Sequence, residues 1–186
     1  KRMLAYSSIS HIGFILIGFT TVSQYSVTSI LMYIIIYLFM TLPAFYMTII
    51  VKDNRGDDGL KSWDGLANNN SVMCAFMVIS LVSLAGLPPT AGFIGKFYLL
   101  ANLFRADTYY WLAIVAIINS VVSLYYYFLI VKAMYFNEPK ENKSNKLIIH
   151  SSIYWSIILM SSQALLFYFY WSPLINFLNS LKLMVL

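Results

Sequence analysis

The sequence predicts an all-α polytopic membrane protein of about five transmembrane helices, the third broken at Gly86–Pro89, and three observations carry that expectation. Of its 186 residues 60% are hydrophobic and only 10% charged, far below the roughly 25% charged content of an ordinary soluble domain. The apolar residues fall in long runs, and roughly 20 such residues are what a helix needs to cross a bilayer core of about 30 Å. Every Asp and Glu falls between those runs, in the connections.

The whole chain, 1–186, is expected to form one transmembrane domain. Its single cysteine, Cys74, lies inside an apolar run, so neither a disulfide framework nor a thiolate metal site can be built from this chain alone. No redox cofactor is expected within it. The net charge is +5, but the basic residues are spread over the connections, which points to membrane topology and not to nucleic acid. The chain has no signal peptide and opens on Lys1 and Arg2 at the mouth of an apolar run, as expected of a piece of something longer or a split-gene product.

The first span is expected at about 5–22. Ser7 and His11 lie four apart and share a helix face, with Ser8 on the same side. The second, about 26–51, carries Tyr33, Tyr37 and Thr41 at four-residue spacing, followed by Pro43, which is expected to kink the helix. The polar stretch from Lys52 to Asn70 lacks the twelve-residue calcium-loop pattern and reads as a solvated loop.

The third span, about 71–104, would measure about 50 Å as one straight helix, too long for one crossing and too short for two. Near its middle lie Gly86, Pro88 and Pro89. A proline inside a helix removes a backbone bond and costs about 3 kcal/mol, so the helix is predicted to be interrupted there. Such breaks survive at membrane depth only where protein or a watery cavity satisfies the freed backbone groups. The fourth span, about 108–136, carries Asn119, Ser123 and Tyr127 at four-residue steps, and Lys132 near its end can snorkel to the surface. The fifth, about 147–170, follows a charged linker and has His150 at its mouth. The final stretch is short and apolar, and a surface-lying helix is expected.

Lys96 is the chemically demanding residue. It lies about 10 Å beyond Pro89 along the helix, inside the apolar slab, where an ammonium costs at least about 2.5 kcal/mol. Low-dielectric surroundings penalise the charged amine relative to the neutral one, so Lys96 is the candidate proton carrier; the alternatives are snorkelling or a permanent pair with an acid on a partner. His11 is a candidate relay or a histidine that ties two helices together. Ser7, Tyr33, Tyr37, Thr41, Asn119, Ser123 and Tyr127 are candidates for a shared water-holding axis. Because no span contains an acid, any carboxylate that modulates Lys96 is expected from outside the chain.

With a single broken crossing, Lys1, Arg2, Lys52, Arg55, Lys61, Lys140, Lys143 and Lys146 lie on one side, against Arg105 and Lys182 on the other. The N-terminus is then expected on the cytoplasmic or matrix side.

Three motifs now carry a family resemblance: KRMLAYSSISHIGF at 1–14, SLAGLPPTAGFIGKFYLL at 83–100 and SLYYYFLIVKAMYF at 123–136. Together they resemble the subunit 2 family of respiratory complex I, the proton-pumping NADH:ubiquinone oxidoreductase, over its C-terminal part, its last five helices. The resemblance implies an antiporter-like fold of two inverted five-helix repeats, each with a broken helix, and a line of charged residues along the membrane midplane. By that likeness Lys96 matches the lysine of the second repeat's broken helix, and His11 matches a histidine of the same repeat. The related subunit 4 tends to carry glutamate where Lys96 stands. Other antiporter-like subunits often carry a histidine or lysine where this chain has Tyr33 and Tyr37, so a titratable relay there is not implied. The first repeat's glutamate and lysines fall outside the chain, which implies a separate or preceding N-terminal part as a partner alongside the other membrane-arm subunits and lipid.

The resemblance implies a proton-translocating subunit of that enzyme, with no NADH, flavin or iron–sulfur cluster of its own. The alternatives are a structural fragment of the membrane arm whose Lys96 forms a static ion pair, and a cation/proton antiporter subunit. The Asn-, Tyr-, Ile- and Lys-rich composition leans to the mitochondrial inner membrane, with a bacterial plasma membrane as the alternative.

Overall fold

A computed structural model describes residues 1–21, 24–105, 109–138 and 147–185, of which 24–25 and 181–185 are described in backbone only. The described residues form seven α-helices and two short 3-10 turns: α1 (Arg2–Thr20), α2 (Gln24–Arg55), turns at Leu60–Trp63 and Leu66–Asn68, α3 (Ser71–Ala85), α4 (Ala91–Arg105), α5 (Tyr110–Phe136), α6 (Ser151–Phe169) and α7 (Trp171–Val185). There is no strand among them. Four of these helices, α1, α2, α5 and α6, are long and apolar enough to cross a membrane.

Contacts at the helix ends define the two ends of the bundle. At the near end, Lys1 and Leu4 share a cleft with Thr48, Trp63 and Ile130, and the Leu147 amide donates to Asn70 Oδ1 at 3.1 Å. At the far end, Asn102 Nδ2 donates to Ser29 Oγ at 2.9 Å, and the Phe104 and Tyr110 rings meet at 5.8 Å. So α3 starts at the near end and α4 finishes at the far end. The pair traverses the bundle once, as two half-helices in series.

α2 is the central post. It packs against α1, α3, α4, α6 and α7, and its 32 residues measure about 48 Å. It runs through Pro43 as one helix and continues past Val51 to Arg55. Lys52 and Asp53, expected in the following connection, therefore belong to its last turn; the helix simply outlasts the apolar slab.

The stretch after it is not the solvated loop that its charge density predicts. Trp63 and Leu66 are 3% and 0% exposed: the first 3-10 turn ends on Trp63 and the second begins on Leu66, and both join the main apolar core. The Arg55 guanidinium donates to the Ser62 and Asp64 carbonyls at 2.8 and 3.1 Å, and the Gly65 amide donates to the Ala133 carbonyl at 3.0 Å. The segment is thus pinned across the near end as a cap. α7 lies at the far end, with Trp171 against Tyr98 at 5.4 Å and Asn179 accepting from Thr28 Oγ1 at 3.0 Å. Residues 139–146, which hold Lys140, Lys143 and Lys146, lie outside the described residues.

Candidate functional site: a broken helix closed by a lysine

The interruption between α3 and α4 is built so that few of its backbone groups are left without a partner. An α-helix ends with four carbonyls that lack an intrahelical donor. In α3 these belong to Val82, Ser83, Leu84 and Ala85. Gly86, at φ +82°, is the left-handed residue that ends the helix. Its amide donates to Ser83 and the Leu87 amide donates to Val82, at 3.0 and 3.2 Å, the Schellman pairing that satisfies two of the four. Pro88 and Pro89 follow and cannot continue the helix.

Lys96 satisfies the other two. From the second turn of α4 its Nζ donates to the Leu84 and Ala85 carbonyls, each at 3.0 Å, and to Ser120 Oγ on α5 at 3.2 Å. The ammonium thereby lies at the negative end of the α3 dipole with all three of its N–H groups used. It is 6% exposed, and no ion pair holds it among the described residues. The acid expected from outside the chain is not needed to satisfy its hydrogen bonds, because the broken helix itself supplies the compensating partial charge. On the other side of the break, the Gly92 amide donates to Ser83 Oγ at 3.1 Å, so α3 also serves the buried N-terminus of α4.

A second hydrogen-bonded set surrounds His11, which is 3% exposed. Its Nδ1 shares a hydrogen bond with the Tyr33 hydroxyl at 2.7 Å and its Nε2 lies 3.4 Å from the Tyr127 hydroxyl. The Tyr127 hydroxyl is also hydrogen-bonded to Ser7 Oγ. A neutral imidazole donates from one nitrogen and accepts at the other, so this row from Tyr33 through His11 to Tyr127 and Ser7 can pass a proton along α1 toward the near end. The Tyr37 ring stacks at a tilt on His11, 5.1 Å between centroids.

The remaining candidates are distributed differently. Thr41 Oγ1 is buried with no hydrogen-bond partner among the described residues. Ser123 Oγ donates to the Ser120 carbonyl of its own helix at 2.7 Å. Asn119 does not face the axis: it is exposed and bonds Ser10 Oγ at 2.7 Å on the outer seam of α1 and α5. His150 caps α6, its ring nitrogen accepting from the Ser152 amide at 3.4 Å. Ser120, Phe14 and the two α3 carbonyls are contacts of Lys96 that the sequence does not announce.

The Phe14 ring borders both sets. Its ring centroid is 4.8 Å from Lys96 Nζ, 6.5 Å from the His11 ring and 6.3 Å from the Tyr33 ring. Beside Lys96 a cleft of about 310 Å³ opens on the flank between α4 and α5, walled by Leu87, Phe93, Phe97, Ile117 and Val121.

Fold and site together define a polytopic helical membrane protein with an interrupted helix whose end is held by a buried amine. The chain belongs to the NADH:quinone oxidoreductase/Mrp antiporter membrane family, which matches residues 1–123. It is 38% identical over 180 residues to NADH-quinone oxidoreductase subunit N 2 of Sorangium cellulosum, covering 95% of this chain and 35% of that protein. A chain of respiratory complex I from Thermus thermophilus superposes with a TM-score of 0.70 at 26% identity, covering 90% of this chain and 37% of that one. A chain of the Mrp complex from a Dietzia species superposes at 0.84 with 19% identity, covering 94% and 40%, a likeness of fold alone. The chain spans about a third of the length of the curated relatives it matches, and the relatives named here are bacterial.

Proposed function

We propose that this chain is the lysine-bearing, C-terminal part of an antiporter-like subunit of respiratory complex I, of the subunit 2 (bacterial subunit N) type, and that Lys96 carries protons through it. One observation supports this above the rest: a buried ammonium held by neutral acceptors only. Two carbonyls and a hydroxyl stabilise the charged form, but neither compels it as a carboxylate at contact distance would. The row through His11 supplies the near-end branch of the route. The whole of 1–186 acts as one transmembrane unit, alongside the N-terminal part of the subunit and other membrane-arm subunits. Redox cofactors belong to those partners, and the work of pumping arrives from them as a change in the field or position of Lys96. Its N-terminus faces the matrix or cytoplasm, and the composition favours a mitochondrial inner membrane.

The test is the number of protons moved per NADH oxidised by the assembled complex carrying Lys96→Met. That number is expected to fall, with coupled turnover slower by roughly tenfold, a barrier change of about 1.4 kcal/mol; an unchanged ratio removes Lys96 from the proton path. Ser120→Ala takes away one of three acceptors, and because Ser120 is only half-buried water replaces part of the loss. A milder slowing of about fivefold, close to the ~1 kcal/mol of one hydrogen bond, is expected in the same assay.

A scaffolding role is the second reading, and the same geometry gives it substance. By closing the α3 carbonyls, Lys96 holds the broken helix together whether or not it releases a proton.

A further inference from the structure

We infer that Phe14 is the barrier between the two halves of the proton route: its ring separates the Lys96 set from the His11 set and must move aside before a proton can pass. This rests on the reading of Lys96 as a proton carrier. The two sets are each internally bonded, Lys96 to α3 and α5 and His11 to Tyr33 and Tyr127. No hydrogen bond joins one to the other among the described residues. Against both lies a benzyl side chain, its centroid 4.8 Å from Lys96 Nζ and 6.5 Å from the His11 ring, which is 3% exposed and backed by Ile30, Leu99 and Ala116 in a small apolar cluster. Water cannot bridge Lys96 and His11 while that ring is in place, since a bridging water needs both room and polar partners.

The ring also reads the charge of the amine. At 4.8 Å, Lys96 Nζ lies within the distance at which an aromatic face attracts a cation. An ammonium therefore holds the ring over itself and keeps the route shut; a neutral amine lets it go. With the amine neutral the ring swings out and a water enters; a proton then leaves the imidazolium of His11 with the bonding pair remaining on nitrogen, the water accepts it, and a proton of that water passes to the lone pair of Lys96 Nζ. Charge is conserved, and the amine and imidazole exchange states. A dewetted apolar constriction of this sort is a recognised way for a membrane pore to gate.

The experiment uses the assembled complex in sealed vesicles, with passive proton flux driven by an imposed potential while quinone reduction is inhibited. Phe14→Ala is expected to raise that flux on the order of tenfold, the change given by a barrier drop of about 1.4 kcal/mol. Phe14→Leu, which refills most of the space, should bring the flux back to the wild-type level. Adding Lys96→Met to Phe14→Ala should abolish the extra flux, a result that mere loosening of the fold would not give. If Phe14→Ala does not assemble, Phe14→Val replaces it under the same criteria. Wild-type flux in the small-residue variant, while Lys96→Met still lowers the proton yield, overturns the barrier and leaves the carrier standing. A normal yield in Lys96→Met overturns both.

Discussion

On the proposed function, Gly92→Ala is expected to remove the chain from the assembled complex almost completely. A Cβ at Gly92 would lie 1.8 Å from the Ser83 carbonyl oxygen, 2.8 Å from its carbon and 3.1 Å from Ser83 Oγ. These are mostly backbone atoms at the end of a helix, so no side chain can rotate away to make room. The two half-helices must separate by more than an ångström. That breaks the Gly92 amide bond to Ser83 Oγ and draws Lys96 off the Leu84 and Ala85 carbonyls, leaving buried polar groups unpaired at ~1–3 kcal/mol each. The sum is several kcal/mol, comparable to the whole stability of many domains. Native electrophoresis of solubilised membranes would measure it, with Gly13→Ala as the control, since nothing lies within 4 Å of a Cβ there. Full assembly of Gly92→Ala would show that the break is looser than its geometry.

The break was legible in the sequence because two prolines and a lysine in an apolar run violate what a lipid-embedded helix tolerates. What the lysine bonds to was not. Its partners are chiefly carbonyl oxygens, which every residue carries, so no side chain announces them. The sequence led instead to an acid on another chain, because a buried charge is ordinarily matched by an opposite one; a helix C-terminus with two orphan carbonyls does the same work.

The polar axis was half legible for a reason of period. Steps of four overshoot the 3.6-residue turn by about 40° each. Two such steps from Tyr127 carry Asn119 about 80° round α5, onto the outer seam with Ser10. Ser120 is seven residues from Tyr127, and a seven-residue step drifts by only about 20°, which keeps both on the inner face. The same step separates Ser7 from Phe14 on α1. Seven-residue spacing therefore relates Ser120 and Phe14, both contacts of Lys96, to polar residues of the axis, and four-residue spacing does not. The near-end cap is hidden by composition: charged residues, Asn and Ser together dominate 52–70 in number, but Trp63 and Leu66 decide where the segment lies.

Lys96→Arg is expected to assemble as the wild type does and to move as few protons per NADH as Lys96→Met. The two substitutions separate what the lysine holds from what it carries. Methionine keeps most of the length of the side chain but donates nothing, so the Leu84 and Ala85 carbonyls lose their donor, and some loss of assembled subunit accompanies the loss of pumping, at ~1–3 kcal/mol per stranded group. A guanidinium restores donors and positive charge at the end of α3, and the adjoining cleft of about 310 Å³ has room for its extra atoms. It cannot be deprotonated in a protein, so it can cap the helix and cannot take part in a proton cycle. Were the capping of α3 the whole role of Lys96, the arginine variant would pump normally; its assembly level, read on the same native gel as that of Gly92→Ala, together with its proton yield in vesicles, therefore decides between scaffold and carrier.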